Sequence, residues 1–210
     1  MADTGPLEFW KSSFGDEYTE RNEYADWKVE NGIQVFRRIL AGLEIESILE
    51  VGSNIGINLA ALHRLFNGSI RLYAVEPNQK AFNILTANLK GRLAGAWNCD
   101  ASNLPLLDAA VDLAFTCGVL IHIPPDQLAA NTAEIVRVSK KYVLCIEYFS
   151  HTPTEIPYRG MRGLLFKRDF GGFYLDHHPQ LRPLNYGFIW QREFKYYDNL
   201  NWWLFEKIGS

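Results

Sequence analysis

The feature that most limits what this chain can fold into is a short apolar run, Ser47–Val51, that stops at Gly52 and leads straight into a helical pattern with Leu59, Leu62 and Leu65 on one face. A strand turning through glycine into a helix is the repeating unit of a parallel sheet, because parallel neighbours need a crossover of about a dozen residues or more. The unit recurs. Ile70–Val75 reads as a second strand, and Asn78 stands where a helix N-cap belongs, ahead of Phe82, Leu85 and Leu89, with Gly91 as the stop. A weaker strand near Gly95–Cys99, a clearer one at Val111–Thr116 and a strongly apolar one at Tyr142–Phe149 continue the series. Between the last two, Pro124-Pro125 is expected to open a helix through Leu128, Thr132 and Ile135, since proline is tolerated in a first helical turn. Short apolar strands alternating with helices predict a mostly parallel α/β sheet covered on both faces.

The two ends of the chain break this alternation. Glu8 to Trp27 is an aromatic and charged lead-in, after which Val29, Ile33, Phe36, Leu40 and Leu43 form one apolar helical face. Later, Tyr186–Trp190 and Asn201–Glu206 read as two strands joined by a polar turn region, hence an antiparallel edge. At 210 residues, 48% hydrophobic and 21% charged, the chain is sized for one domain with a substantial core. The expected organisation is a single domain over 1–210, with 1–45 as an N-terminal cap or lid and 151–180 as an insertion on the acceptor side. A net charge of -3 offers no basic footprint for nucleic acid. Cys99, Cys117 and Cys145 are odd in number, lack metal-ligand spacing and read as reduced thiols. The opening Met-Ala-Asp-Thr-Gly-Pro lacks a signal-peptide pattern and no apolar run approaches bilayer length. A soluble, cytoplasmic protein without a membrane partner is expected.

In an open α/β sheet, ligands bind beyond the carboxyl ends of the strands. The first strand ends there in Glu50-Val-Gly-Ser-Asn-Ile-Gly56. Gly52 permits a tight turn and close approach of backbone to ligand, and Gly56 permits close packing of the following helix on the sheet. Asn54 stands where a third glycine is usual, and asparagine is the non-glycine residue that best tolerates a left-handed backbone. The second strand ends in Glu76-Pro77-Asn78, offering a carboxylate to both hydroxyls of a ribose. Asp100-Ala101 ends the third, where a carboxylate can accept from an adenine amino group, and Asp112 with Phe115–Gly118 is assigned to the end of the fourth. A dinucleotide-binding domain shares strand, loop and acidic residue. Against it, a strict G-x-G-x-x-G is absent and Glu50 stands two positions before the first glycine.

From Glu50 to about Phe149 the chain resembles class I S-adenosylmethionine-dependent methyltransferases. Its ends look like the methyltransferases associated with biosynthesis of pseudaminic acid, a bacterial nonulosonic sugar. That likeness is carried by Glu8-Phe-Trp10, Phe14-Gly-Asp-Glu-Tyr18, Arg21-Asn22, Tyr158-Arg-Gly160, Leu165-Phe-Lys-Arg-Asp-Phe170 and Tyr186-Gly-Phe188. The resemblance implies a Rossmann-like, seven-stranded α/β sheet with an antiparallel C-terminal edge strand and an N-terminal helical cap. It also implies a bacterial cytoplasmic enzyme with S-adenosyl-L-methionine as cofactor. The residues expected to hold it are Tyr18, Arg21, Glu50, Gly52, Ser53, Asn54, Glu76, Pro77, Asp100, Ala101, Cys117 and Gly118.

Methyl transfer from a sulfonium is an in-line displacement, so the protein must align donor and nucleophile, exclude water and, where needed, take a proton. Trp10, Phe14 and Tyr18 are expected to form an aromatic lid, whose ring faces attract a sulfonium. His122 is the candidate general base or substrate orienter, because an unperturbed imidazole titrates near pH ~6.5. A structural, helix-capping histidine is the alternative. Glu147 and Tyr148, late in the fifth strand, are expected to face the crevice. Phe14, Tyr18, His122, Tyr158, Arg159, Lys167 and Arg168 are assigned to the acceptor, with the basic groups clamping an anion, as guanidinium forks do. Arg162 belongs to the same run. His177-His178 has no third ligand at a recognisable spacing, so no metal is expected. The reading is methylation of oxygen or nitrogen on a small polar, anionic metabolite. A catalytically silent binding module, or an enzyme that cyclises the cofactor's aminobutyrate arm, stays open.

Overall fold

The computed structural model describes residues 5–209; Met1–Thr4, within the segment read for a signal peptide, and Ser210 lie outside the described residues. The Glu8–Trp27 lead-in holds two helices of its own, α1 (Pro6–Lys11) and α2 (Ser13–Arg21), before α3 (Asp26–Ile39). The sheet units then follow as β1 (Ser47–Val51), α4 (Ile57–Leu65), β2 (Arg71–Val75), α5 (Gln79–Asn88), β3 (Leu93–Trp97), β4 (Val111–Cys117), α6 (Leu128–Val138) and β5 (Ser139–Glu147). A small ribbon, β6 (Thr154–Glu155) with β7 (Phe166–Lys167), and α7 (Phe170–His177) fill the expected insertion. The chain closes with β8 (Leu181–Ile189) and β9 (Leu200–Lys207).

Seven strands form one sheet in the order β3-β2-β1-β4-β5-β9-β8. β1 to β5 are mutually parallel, and β9 runs antiparallel to both β5 and β8, giving the expected antiparallel edge. The order reverses between β1 and β4, so their carboxyl ends diverge there into a crevice. Successive strand residues point to opposite faces, which divides the core in two. Ile48, Leu113 and Leu144 face the α3–α4 side, whereas Leu49, Ala114 and Cys145 face the α6–α7 side.

Three expectations need correction. Asp112 lies at the start of β4, not its end, where it accepts from Glu46 N at 2.8 Å and Ser47 Oγ at 3.1 Å and pairs with Lys141. It is remote from the crevice. Pro124 and Pro125 sit in a turn ahead of α6 rather than inside its first turn; the Pro124 carbonyl accepts from Gln127 N and Leu128 N. Gly56 makes room for a helix other than the one it precedes, since a Cβ there would stand 2.6 Å from Leu85 Cδ1 of α5. Among the described residues no helix is long and apolar enough to cross a membrane.

Candidate functional site

A cavity of about 210 Å³ opens at the carboxyl ends of β1 to β4. Its floor is the β1–α4 loop. Gly52 N and Ser53 N both donate to Val75 O, at 2.8 and 3.0 Å, folding the loop back over β2. Gly52 has φ of 79° and a Cβ there would meet Val119 Cγ2 at 2.4 Å, so no other residue fits without movement. Asn54 takes φ of 46°, the left-handed conformation its position required.

Glu76 lines this cavity, only 7% exposed. Its Oε2 accepts from Asn54 N at 2.7 Å and its Oε1 from Asn78 N at 2.9 Å. Burial pushes its carboxyl up to about 7 against those two bonds. Asn78 caps α5 by accepting from Ala81 N, and its amide donates to Trp10 O at 3.1 Å and Asp16 Oδ1 at 3.0 Å. One side chain thus ties the N-terminal helices to the sheet, and Trp10, Tyr18 and Thr19 roof the cavity. Asp100, Ala101 and Pro77 lie on its wall. Burial raises the Asp100 carboxyl, but its bonds from Ser102 outweigh this and hold it below the ordinary value.

Tyr18, Gly52, Asn54, Cys117, Gly118 and His122 also line a second cavity of about 280 Å³. Glu50 is 1% exposed on its wall: Oε1 accepts from Asn58 Nδ2 at 2.7 Å, Asn58 Oδ1 accepts from Tyr197 OH at 2.8 Å, and Oε2 has no partner among the described residues. Burial lifts its carboxyl to about 8. Ser53 lies beside it and donates to Glu50 O. Tyr148 also lines this cavity and donates to Asp198, and burial followed by that contact raises its phenol.

His122 lines both cavities, its ring 4.5 Å from Trp10. Its Nδ1 lies 2.7 Å from Leu164 O, an acceptor, so that nitrogen carries the proton and Nε2 keeps its lone pair. Burial pushes its titration down to about 4, away from the value a general base needs near neutrality. It is suited to orienting a donor rather than taking a proton.

Several expected residues lie off both cavity walls. Glu147 is fully buried; its Oε1 accepts from Val119 N at 3.1 Å and Leu120 N at 3.0 Å, so it holds the β4–α6 turn instead of facing the crevice. Arg21 is exposed and only overlies the Tyr18 ring, and Phe14 packs on Phe9 and Trp10 behind the roof. The basic run does not converge. Arg159 overlies Phe14 and Tyr158, Lys167 overlies Tyr148 and Arg168 overlies Phe173, while Arg162 is exposed; Tyr158 and Leu165 of this segment line the second cavity, and its basic side chains do not. His177 stacks on Phe173 and His178 Nε2 meets Thr132 Oγ1 at 2.9 Å, so the two rings diverge. Sequence reasoning missed Asn58, Gln127, Asn131 and the Tyr196-Tyr197-Asp198 turn. Asn58 had a signal, as a lone amide on an apolar helix face.

Residues 48–142 match the family described as a methyltransferase domain. No curated relative matches the chain. Among solved structures, the Burkholderia thailandensis 1,6-didemethyltoxoflavin-N1-methyltransferase, with bound 1,6-didemethyltoxoflavin and S-adenosylhomocysteine, is 16% identical with a TM-score of 0.71, covering 97% of this chain and 87% of that one. The Synechocystis PCC 6803 magnesium protoporphyrin IX methyltransferase with bound S-adenosylmethionine is 10% identical with a TM-score of 0.67, covering 99% of each. The [4+2]-cyclase SpnF is 15% identical with a TM-score of 0.64, covering 85% of this chain and 80% of that one. The fold is that of the class I methyltransferases.

Proposed function

We propose that this chain is an S-adenosylmethionine-dependent methyltransferase acting on an oxygen or nitrogen of a small polar metabolite. The observation that carries the reading is that Glu76, Asp100, Gly52 and Asn54 border one cavity, while Ser53 and Glu50, whose buried Oε2 has no partner among the described residues, line the adjoining one. These residues fit the cofactor. Glu76 has lone pairs left for ribose hydroxyls, and Asp100 with Ala101 bounds the adenine end. Gly52, Ser53 and Glu50 receive the aminobutyrate arm, whose ammonium satisfies Oε2. When bound, the cofactor supplies an electrophilic methyl on a sulfonium.

The protein's own part is positioning and exclusion of water. The α1–α2 roof covers the donor, and neutral His122 orients the acceptor through Nε2. Gly118, at φ of 68°, brings bare backbone to the neck between the cavities. A nonulosonic sugar acceptor rests on the likeness at the chain's ends. The anionic clamp has no support from the basic run, which stays off both walls. Cytoplasmic location belongs to the same reading.

Calorimetric titration with S-adenosylhomocysteine tests the assignment. One-to-one binding, weakened at least about tenfold by Glu76→Ala (about 1.4 kcal/mol), is expected; absence of heat overturns it. Mass spectrometry of turnover mixtures is the companion assay. Adenosylhomocysteine marks methyl transfer, and methylthioadenosine marks cyclisation of the cofactor.

A further inference from the structure

The second cavity carries a charge pattern opposite to the one the basic run suggested. Its walls include two carboxyl side chains, Glu50 and Asp198, and among the described residues no lysine or arginine. Five tyrosines, Tyr18, Tyr148, Tyr158, Tyr196 and Tyr197, line it. Basic groups lie against four of these rings without lining the cavity: Lys28 on Tyr196 and Arg21 on Tyr18 at 5.9 Å, Arg159 on Tyr158 at 5.9 Å and Lys167 on Tyr148 at 4.4 Å. Aromatic faces bring negative potential to a cavity, and a desolvated cation gains more from them than an exposed one. The buried Oε2 of Glu50 points to a missing cationic partner on the cofactor side, and Asp198, at the exposed mouth, faces whatever enters after it.

Resting on the transfer reading above, we propose that the acceptor held in this second cavity is a cationic amine, caged by tyrosine rings with Asp198 as its counter-ion. The proton balance is simple. A protonated amine has no lone pair, so one N–H proton would pass to the Asp198 carboxylate and on to water; the freed lone pair would then bond the donated methyl as its carbon–sulfur bond breaks and adenosylhomocysteine leaves. Tyr148, which donates its hydroxyl to Asp198, fixes the carboxylate in place as a positioning residue.

The test is calorimetry on the full chain, with and without saturating S-adenosylhomocysteine. Three probes are compared: choline chloride, its neutral isostere 3,3-dimethyl-1-butanol, and N-acetylneuraminate as an anionic sugar. Choline should bind about tenfold tighter than the isostere, and Asp198→Asn should abolish that margin while leaving adenosylhomocysteine affinity unchanged. Asp198 is exposed, so the variant should fold. Equal binding of choline and isostere, preference for N-acetylneuraminate, or an unaltered margin in Asp198→Asn overturns the proposal. Choline selectivity without adenosylhomocysteine binding would instead remove the methyltransferase reading and leave the cation site standing.

Discussion

Replacing Gly52 by alanine separates two costs that usually travel together. Gly52 and Gly91 both hold positive φ, 79° and 74°, but a Cβ at Gly91 meets nothing within 4 Å. Left-handed backbone costs an L-residue roughly 1–2 kcal/mol, and the stiffer unfolded chain returns about 0.4–1 kcal/mol. Gly91→Ala should therefore lose about 1 kcal/mol. At Gly52 the new methyl would stand 2.4 Å from Val119 Cγ2, and Val119 cannot easily retreat because its N–H is held by Glu147 at 3.1 Å. Overpacking of this kind adds about 1–3 kcal/mol. Urea midpoints at a common slope should place Gly52→Ala below Gly91→Ala by that difference, or about 2–4 °C in Tm per kcal/mol. Adenosylhomocysteine affinity should fall for Gly52→Ala only. Equal destabilisation of the two variants would show that Val119 yields freely and would refute the tight-loop account.

Glu147→Ala leaves the buried Leu120 N–H and the half-buried Val119 N–H without their acceptor, at about 1–3 kcal/mol for the buried one, whereas Glu147→Gln keeps the acceptor; chemical denaturation should rank Ala well below Gln, and equal losses would deny the turn-holding role. The carboxyls of Glu50, raised to about 8, and of Glu76 and Glu147, raised to about 7, stay protonated in the fold after the unfolded chain, near 4.5, has ionised. The native state then binds more protons, so their contribution declines as pH rises from 6.5 to 8. Tm should fall across that window and Glu50→Gln should flatten the slope; a rise would contradict the burial argument. His122, lowered from 6.5 to about 4, acts in the opposite sense only below that window. Its imidazole NMR shifts should stay those of the neutral ring down to pH 5, and a titration near 6.5 would restore it as a base.

What could be read without coordinates was what depends on local rules. Asn78 as a cap, Asn54 in the left-handed region and Glu76 at a strand end follow from short-range chemistry, and each stands where expected. Asp112 stands at the far end of β4 from the site because a residue entering a parallel strand lies opposite its exit. Glu147 was misread because a carboxylate two strands from the glycine loop shows no local sign that it will clamp another turn's N–H groups. The 151–180 segment has little periodic structure, so nothing in its sequence fixes where its guanidinium groups point. Tyr196 to Asp198 looked like a polar turn, and only the β8–β9 pairing carries it to the cavity mouth.

A crystal structure of the chain with S-adenosylhomocysteine tests the central claim most directly. Ribose hydroxyls on Glu76, the adenine beside Asp100 and Ala101, and the amino group within hydrogen-bond reach of Glu50 Oε2 are the predicted result. A ligand bound outside these two cavities, or adenosyl density with Glu76 and Glu50 both uncontacted, would contradict it.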